Sequence, residues 1–300
     1  MKKTISINQP QVEILRRAVL FSLTCHRWSN RRQADQSQIE ADCDKSKLNT
    51  TKRLIESEKL KLVDAHMNEI YNWCLARAML SGVRRGVYFV KRDMIPTFEA
   101  KLEQARAELQ PLLDELVAEY DACKEKAKLP ADQGGLGALY NELDYPNHAA
   151  LRSCFSLEHT WLALSVPEEL PEEVSKRECE KLRQRFEEAQ TEVTLALRAG
   201  FKTVVDNACR LLKGDKKFTE KTTGTFEKFF ETFQARNLMD DAALNELVSE
   251  AKSTLRELKT KDLKTNAEMR DATRAKFESV AQSLEKLLVD RPKRVIELED

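Results

Sequence analysis

The sequence predicts a mainly α fold: an elongated antiparallel bundle of long, partly coiled-coil helices with a small two-stranded β element. Three observations support this prediction. The chain has only 8 Gly and 8 Pro in 300 residues, less than half of the usual share of about 12%. Charged residues make up 33% of the chain, and abundant Glu, Lys, Leu, Ala and Arg are typical of long helices. Apolar residues also recur at steps of three and four, as they do on the buried face of a helix.

Two helices are expected in the first third of the chain. The first begins at Pro10, which suits the first turn of a helix, and ends near Trp28. The very polar stretch that follows, to about Thr51, is expected to be an exposed helix or a mobile loop. A second helix is expected from Leu48, with apolar residues at seven-residue steps, and it ends at Gly82.

The β element is expected at two places that are far apart in the sequence. In the stretch 82–91, two Gly bracket two Arg and a β-branched and aromatic run follows, which predicts a turn and a short strand. The apolar stretch 155–166 is nearly free of charges. We therefore expect a strand at 155–164 that pairs with residues 87–91.

The middle and end of the chain predict further long helices. One is expected at 93–128, kinked or split by Pro111 because a proline inside a helix removes a hydrogen bond. Others are expected at 171–212, at 218–236 and then to about Val289. The helices near 93–128 and 172–212 both have long apolar stripes, which predicts that they pack against each other. A core face is expected on the third of these helices, formed by Phe226, Phe229, Phe230 and Phe233.

Three consecutive regions follow from this order of elements: a basic helical region at 1–92, a long helix with a loop at 93–170, and a helical bundle at 171–300. They can also form one continuous elongated domain. Residues 1–100 contain 18 Lys and Arg against 11 Asp and Glu, whereas residues 101–200 contain 12 against 20. A basic first third suits phosphate, and an acidic middle suits a basic protein.

Sequence motifs for chemistry are missing. No glycine-rich phosphate loop occurs, and no two of the four His have the spacing of a metal site. The seven Cys are at least 18 residues apart in the sequence, which predicts free thiols in a reducing compartment. We expect no enzyme, no cofactor, no metal site and no small-molecule ligand. Without an export signal or a long apolar run, we also expect a cytoplasmic protein that does not span a membrane.

Two basic–aromatic segments, near 26–32 and 84–92, are the strongest polar signal. Arginines can hold phosphates while aromatic rings stack on bases, so these segments are candidates for contacts with a nucleic acid or a protein partner. The alternative is that the aromatic residues belong to the core and the arginines are solvated. The candidate contact residues are Arg27, Trp28, Arg31, Arg32, Arg84, Arg85, Tyr88, Lys91 and Arg92.

Short pieces spread over about residues 20–250 resemble an uncharacterised helical family of phage and bacterial genomes. These pieces are Trp28-Ser29-Asn30-Arg31-Arg32, Tyr88-Phe89-Val90, Met94-Ile95-Pro96-Thr97-Phe98, Tyr120, Asp144-Tyr145-Pro146, Leu151-Arg152, Phe155-Ser156, Val166-Pro167, Phe218, Asn237-Leu238, Asp241 and Leu244. Members of that family are often encoded near a MoxR-type AAA ATPase and a von Willebrand A-domain protein. The resemblance therefore implies a helical accessory or adaptor role, and it carries over no catalytic residue.

The expected function is that of a non-enzymatic phage or bacterial interaction protein, which self-associates or binds a protein partner. The resemblance makes an AAA ATPase system one such partner. The alternative function is that of an accessory protein that binds nucleic acid through the segments near 26–32 and 84–92.

Overall fold

The computed structural model of the protein describes residues 12–40, 42–213, 220–256 and 267–289. The expected mainly α class is confirmed, because helices make up most of these residues. The α-helices are α1 (Glu13–Arg17), α2 (Glu58–Arg77), α3 (Ile95–Lys128), α4 (His148–Ser153), α5 (Glu172–Lys213), α6 (Glu220–Arg236), α7 (Ala242–Arg256) and α8 (Ala267–Val289). The expected ends of the long helices at 93–128 and 171–212 agree with α3 and α5 within two residues.

Six strands form two separate sheets. The strands are β1 (Ala18–His26), β2 (Arg31–Gln33), β3 (Thr51–Arg53), β4 (Met79–Leu80), β5 (Tyr88–Lys91) and β6 (Ser156–Leu162). One sheet has the order β4-β5-β1-β6, and the other is the hairpin of β2 and β3. Sequence analysis predicted the strands β5 and β6 but paired them wrongly. Strand β5 pairs with β1 and β4, and β6 lies on the other side of β1.

The prediction of a first helix from Pro10 to about Trp28 is wrong for most of that stretch. Only the five residues of α1 are helical, and residues 18–26 form β1 instead. Buried and half-buried positions alternate at the start of β1, where Val19 lies opposite Val90 and Leu20 opposite Phe89. The β-branched and aromatic partners on β5 favour the strand. A strand partner 70 residues away cannot be inferred from the local spacing of apolar residues.

The chain divides into two compact units, each built from separate stretches of sequence. The first unit contains the described residues of 1–21, 76–94 and 161–300, and the second contains those of 22–75 and 95–160. This division differs from the three consecutive regions that the sequence predicts. The chain passes between the units four times: within β1, within α2, just before α3 and within β6.

The core of the first unit joins five helices, α1, α5, α6, α7 and α8, to the sheet. Helix α5 packs most extensively against α8, and α7 also packs against α8. Aromatic rings fill the centre, where Phe226 stacks on Phe277 at 5.3 Å and Phe201 stacks on Phe229 at 4.9 Å. The expected core face of α6 is confirmed for Phe226, Phe229 and Phe233, and Phe230 is partly buried against it.

Helices α3 and α5, which were expected to pack against each other, fall in different units. The apolar cluster that covers the stripe of α5 contains no residue of α3. Helix α3 belongs to the second unit, where it packs against α4 and buries Leu109 and Leu116. Pro111 lies within α3 and does not split it. The stretch expected as an exposed helix or loop contains the hairpin and two single-turn 3-10 helices.

Candidate interaction surfaces

The hairpin of β2 and β3 in the second unit is held in one register by its base. Arg31, Arg32 and Gln33 lie opposite Arg53, Lys52 and Thr51, respectively. Just before β2, the Asn30 side chain donates to the Ile55 carbonyl at 2.8 Å and accepts from the Ile55 amide at 2.9 Å. A side-chain amide thus continues the strand pairing beyond the hairpin, which prevents a register slip.

The two faces of the hairpin differ in their environment. Arg31, Gln33, Thr51 and Arg53 are exposed, as alternation along a strand requires for one face. On the other face, Lys52 forms an ion pair with Asp144 at 2.6 Å and donates to the Leu139 carbonyl at 2.5 Å. The Arg32 guanidinium donates to the carbonyls of Ser29 and Arg31, at 3.0 Å each. Both inner cations are therefore occupied, and the outer face carries the available charge.

Two arginines lie directly opposite each other on that outer face. Like charges at opposed positions of an antiparallel pair are destabilising. The Arg31 side chain has no ion pair or hydrogen-bond partner among the described residues, and Arg53 reaches only Glu56, at 3.8 Å. We call this surface of Arg31, Gln33, Thr51 and Arg53 the arginine face.

The aromatic residue of the first basic–aromatic segment is a core residue. Trp28 is 6% exposed, and its ring meets the Tyr120 ring edge-on at 6.0 Å between centroids. The neighbouring Arg27 donates to Asn68 Oδ1 at 2.9 Å and lies 3.7 Å from Asp64. Trp28 therefore has no free ring face for a base, and Arg27 has an acidic partner.

The second basic–aromatic segment belongs to the first unit. Arg84 and Arg85 are exposed in the turn before β5, and Tyr88 is half-buried in that strand. Lys91 pairs with Asp240 at 2.9 Å, and the Arg92 guanidinium donates to the Leu15 carbonyl at 2.7 Å. The structure thus places the two segments in different units, and it leaves Arg84 and Arg85 as the available charges of the second.

Residues 129–145, here called the leucine loop, form a tightly folded connection after α3. The Leu136 amide donates to the Ala127 carbonyl at 2.9 Å, and the Gly137 amide donates to the Leu129 carbonyl at 3.0 Å. Gly135 lies so close to the chain that a Cβ on it would be 1.9 Å from the Leu129 carbonyl oxygen. Only glycine fits this close approach.

Side chains brace the second half of the leucine loop against α3. The Tyr140 and Tyr145 rings stack at 5.0 Å, and the Tyr145 hydroxyl donates to the Leu54 carbonyl at 2.9 Å. Glu142 accepts from Tyr140 at 2.6 Å and pairs with Lys124 of α3. The hydrogen bond from Lys124 lowers the pKa of the Glu142 carboxyl, and burial raises the pKa of Tyr145 to about 12. Both side chains therefore keep their paired protonation states at neutral pH.

This braced loop nevertheless presents apolar side chains to water. Leu143 is 92% exposed and Leu129 is 37% exposed, while Leu136 and Leu139 are half-buried. The Leu143 amide donates to Asn141 Oδ1 at 3.0 Å, which holds the exposed residue in a fixed turn. Sequence analysis predicted a loop at 130–137 but missed this surface. The sequence feature that could have indicated this apolar surface is the presence of four leucines within a stretch of glycines and polar residues.

In the part of the chain that the structure describes, no group of three or more His, Cys, Asp or Glu side chains is arranged to hold a metal ion. Within those ranges, no helix is long and apolar enough to cross a membrane. All seven cysteines lie in these ranges, and each is a free thiol.

Compared with known proteins, the chain matches no protein-family model, no curated protein and no solved structure. The resemblance to the phage and bacterial helical family stays a prediction. Several residues that carry it share a structural role in the second unit, where Trp28, Tyr120, Tyr145, Leu151 and Phe155 are all buried. They account for the packing of that unit and do not by themselves define a site.

Proposed function

We propose that this protein is a non-enzymatic interaction protein of the cytoplasm, and that the leucine loop is its contact with a protein partner or a second copy. The observation that carries the proposal is Leu143, which is 92% exposed on a loop whose backbone and neighbouring side chains are fixed by hydrogen bonds. An exposed leucine on a mobile loop would need no explanation.

Rigidity is what makes this exposed residue suited to binding. Ordering a loop on association costs free energy, and a loop that is already ordered avoids that cost. Burial of an exposed leucine side chain contributes about 1.5–3 kcal/mol. Tyr140, which lies three residues earlier in the same loop and is half-buried, is of a residue type enriched at interface hot spots. The resemblance makes an AAA ATPase of the MoxR type the first partner to test.

Site-specific photo-crosslinking tests this proposal. A photoreactive amino acid replaces Leu143 and, in a control protein, Leu80, which is 70% exposed on β4 of the first unit. We expect a crosslinked product of defined mass from position 143 and not from position 80. Excess wild-type protein should compete with this product, whereas excess Leu143→Ser protein should not. Identical products at both positions, or no product at position 143, would contradict the proposal.

A second candidate function, nucleic-acid binding, is favoured by the arginine face. Among the described residues Arg31 has no acidic partner and Arg53 has only the long ion pair with Glu56, at 3.8 Å. A two-stranded ribbon also fits the major groove of DNA. Each phosphate contact steepens the salt dependence of binding by about 0.9 in the slope of log K against log salt. The variant Arg31→Ala/Arg53→Ala should therefore lower the slope by about 2.

The control for this second candidate is Arg16→Ala, since Arg16 is 67% exposed and lies 3.6 Å from Glu13. It should leave the slope unchanged. Binding of single-stranded and double-stranded DNA is measured by fluorescence anisotropy between low and moderate salt. Equal slopes for the wild type and the double variant would exclude the arginine face as the contact.

A further inference from the structure

A cleft in the first unit lies between the turn before β5 and one face of α5. Its volume is about 360 Å³, and it is lined by Gly82, Val83, Arg185, Glu188, Ala189 and Glu192. Pockets that bind small ligands are typically ~300–1,000 Å³. Positions 185, 188, 189 and 192 are one or two helical turns apart, so they share one face of the helix.

The two ends of this helix face carry charges that have no partner among the described residues. Arg185 is the only basic side chain of α5, a helix described over its whole length, that makes no ion pair or hydrogen bond with the described residues. The basic side chains on either side of it, for example Arg183 with Glu180 and Glu187, are paired. Glu192 likewise has no partner among these residues. Within the described residues, α5 pairs its other cations and leaves Arg185 without a partner at the cleft.

The turn that forms the opposite wall keeps the cleft open. Gly82 has a positive φ of 64°, which favours glycine, and a Cβ there would lie 3.0 Å from Glu192 Oε2. The turn is held by the Ser81 amide, which donates to the Val87 carbonyl at 3.2 Å. On the helix side the floor is Ala189, which is buried and small. A larger residue at position 82 or 189 would fill the space between Arg185 and Glu192.

We propose that this cleft binds a short extended peptide by its two charged ends, with the peptide carboxylate on Arg185 and the peptide ammonium on Glu192. Seven helical residues separate these two positions by about 10 Å along the axis, and an extended tripeptide reaches about the same length. A guanidinium can hold a carboxylate through two parallel hydrogen bonds. This site lies outside the leucine loop and differs from the sequence-based expectation of no small-molecule ligand.

The test adds the tripeptide Ala-Ala-Ala to the full chain. Binding is measured from the NMR amide signals of Gly82, Val83 and Ala189. We expect saturable shifts of these signals at millimolar peptide. Because each end makes one charge-assisted contact, N-acetylation or C-amidation of the peptide should weaken binding about tenfold. The variants Arg185→Ala and Glu192→Ala should each weaken binding by a similar factor.

The matched control is Arg183→Ala, two residues away on the same helix and outside the cleft, which should bind like the wild type. Arg185 and Glu192 are exposed, so their substitution should leave the remaining amide spectrum unchanged. The proposal is overturned if Ala-Ala-Ala causes no saturable shift at these three residues. It is also overturned if the wild-type protein binds the capped peptides as tightly as it binds Ala-Ala-Ala. The same holds if the Arg185→Ala protein binds Ala-Ala-Ala as tightly as the wild type does.

Discussion

Substitution of Arg198 by Met is expected to destabilise the part of the first unit where α5, α7 and α8 meet. The Arg198 Nε donates to Asp241 Oδ2 at 2.7 Å, and its NH1 donates to the Leu287 carbonyl of α8 at 2.8 Å. Asp241 also accepts from the Leu244 amide at 3.1 Å, so it caps the first turn of α7. One guanidinium thus links three helices through a single carboxylate and a single carbonyl.

The burial of this pair sets the expected magnitude. The side chain of Asp241 is 8% exposed and that of Arg198 is 20% exposed. Removing one partner of a fully buried pair costs about 3–5 kcal/mol, because it leaves the other charge buried, whereas an exposed pair contributes about 0–1 kcal/mol. Since Arg198 retains some contact with water, we expect Arg198→Met to cost about 3 kcal/mol, towards the lower end of the buried range.

A double-mutant cycle separates the ion pair from the other contacts. Asp241→Asn keeps a good helix cap but removes the charge, and it should cost about 1–2 kcal/mol. The double variant should cost less than the sum of the two single changes, with a coupling of about 1–2 kcal/mol. Because the chain has two units, global unfolding need not be two-state. The free energy is therefore measured locally, by native-state hydrogen exchange of amides in α7 and α8.

The control for this cycle is Arg183→Met, which removes an exposed cation from the same helix and should change these opening free energies by less than about 0.5 kcal/mol. The reasoning is refuted if Arg198→Met behaves like this control. It is also refuted if the two substitutions add without coupling, since the ion pair would then contribute nothing of its own.

Three further predictions concern an exposed ion pair, the thiols and the leucine loop. The hydrogen bond from Lys91 lowers the pKa of Asp240. The stabilisation is therefore present above the ordinary pKa of about 4 and is lost as pH falls through the lowered value. The opening free energy of nearby amides, taken from exchange rates corrected for the intrinsic rate at each pH, should fall less on acidification in Asp240→Asn than in the wild type. An equal fall in both proteins would contradict this. Burial raises the pKa of Cys209 to about 11, so a thiol reagent at pH 8 should modify the exposed Cys43 before Cys209. Denatured protein without reductant should titrate as seven thiols, and a count of five or fewer would contradict the prediction of free thiols. Gly135→Ala would place a Cβ 1.9 Å from the Leu129 carbonyl oxygen. Because this clash should loosen the leucine loop, limited proteolysis should cut the loop faster in the variant than in the wild type. An unchanged cleavage rate would contradict this prediction.

The candidate surfaces show how far residue type alone can lead. Arg31 and the pair Arg84 and Arg85 were predicted as contacts and are exposed. Trp28 was also predicted as a contact, but it is buried against Tyr120. Composition identifies which side chains can bind phosphate or stack on bases. Whether a ring faces water depends on a tyrosine 92 residues further along the chain, which no local pattern reveals.

The helical class and the extents of α3 and α5 could be predicted from the amino-acid sequence alone. Each of these helices buries a stripe that recurs every three or four residues, so the signal for the helix lies within the helix. The sequence predicted that Pro111 would kink or split α3 because it removes a backbone hydrogen bond. The helix nevertheless continues through Pro111.

The strand pairing, the division into two units and the charges without partners among the described residues depend on contacts between distant parts of the chain. Residues 18–26 become a strand because β5 supplies partners 70 residues away, and β-strand preference depends on such neighbours more than helix preference does. In the same way, Lys91 is neutralised by Asp240, whereas Arg185 and Arg31 have no ion-pair partner among the described residues. The charges next to each of them in the sequence do not indicate this difference. Helices are specified by contacts within a few residues, whereas sheets, clefts and unpaired charges are specified by residues that meet only after folding.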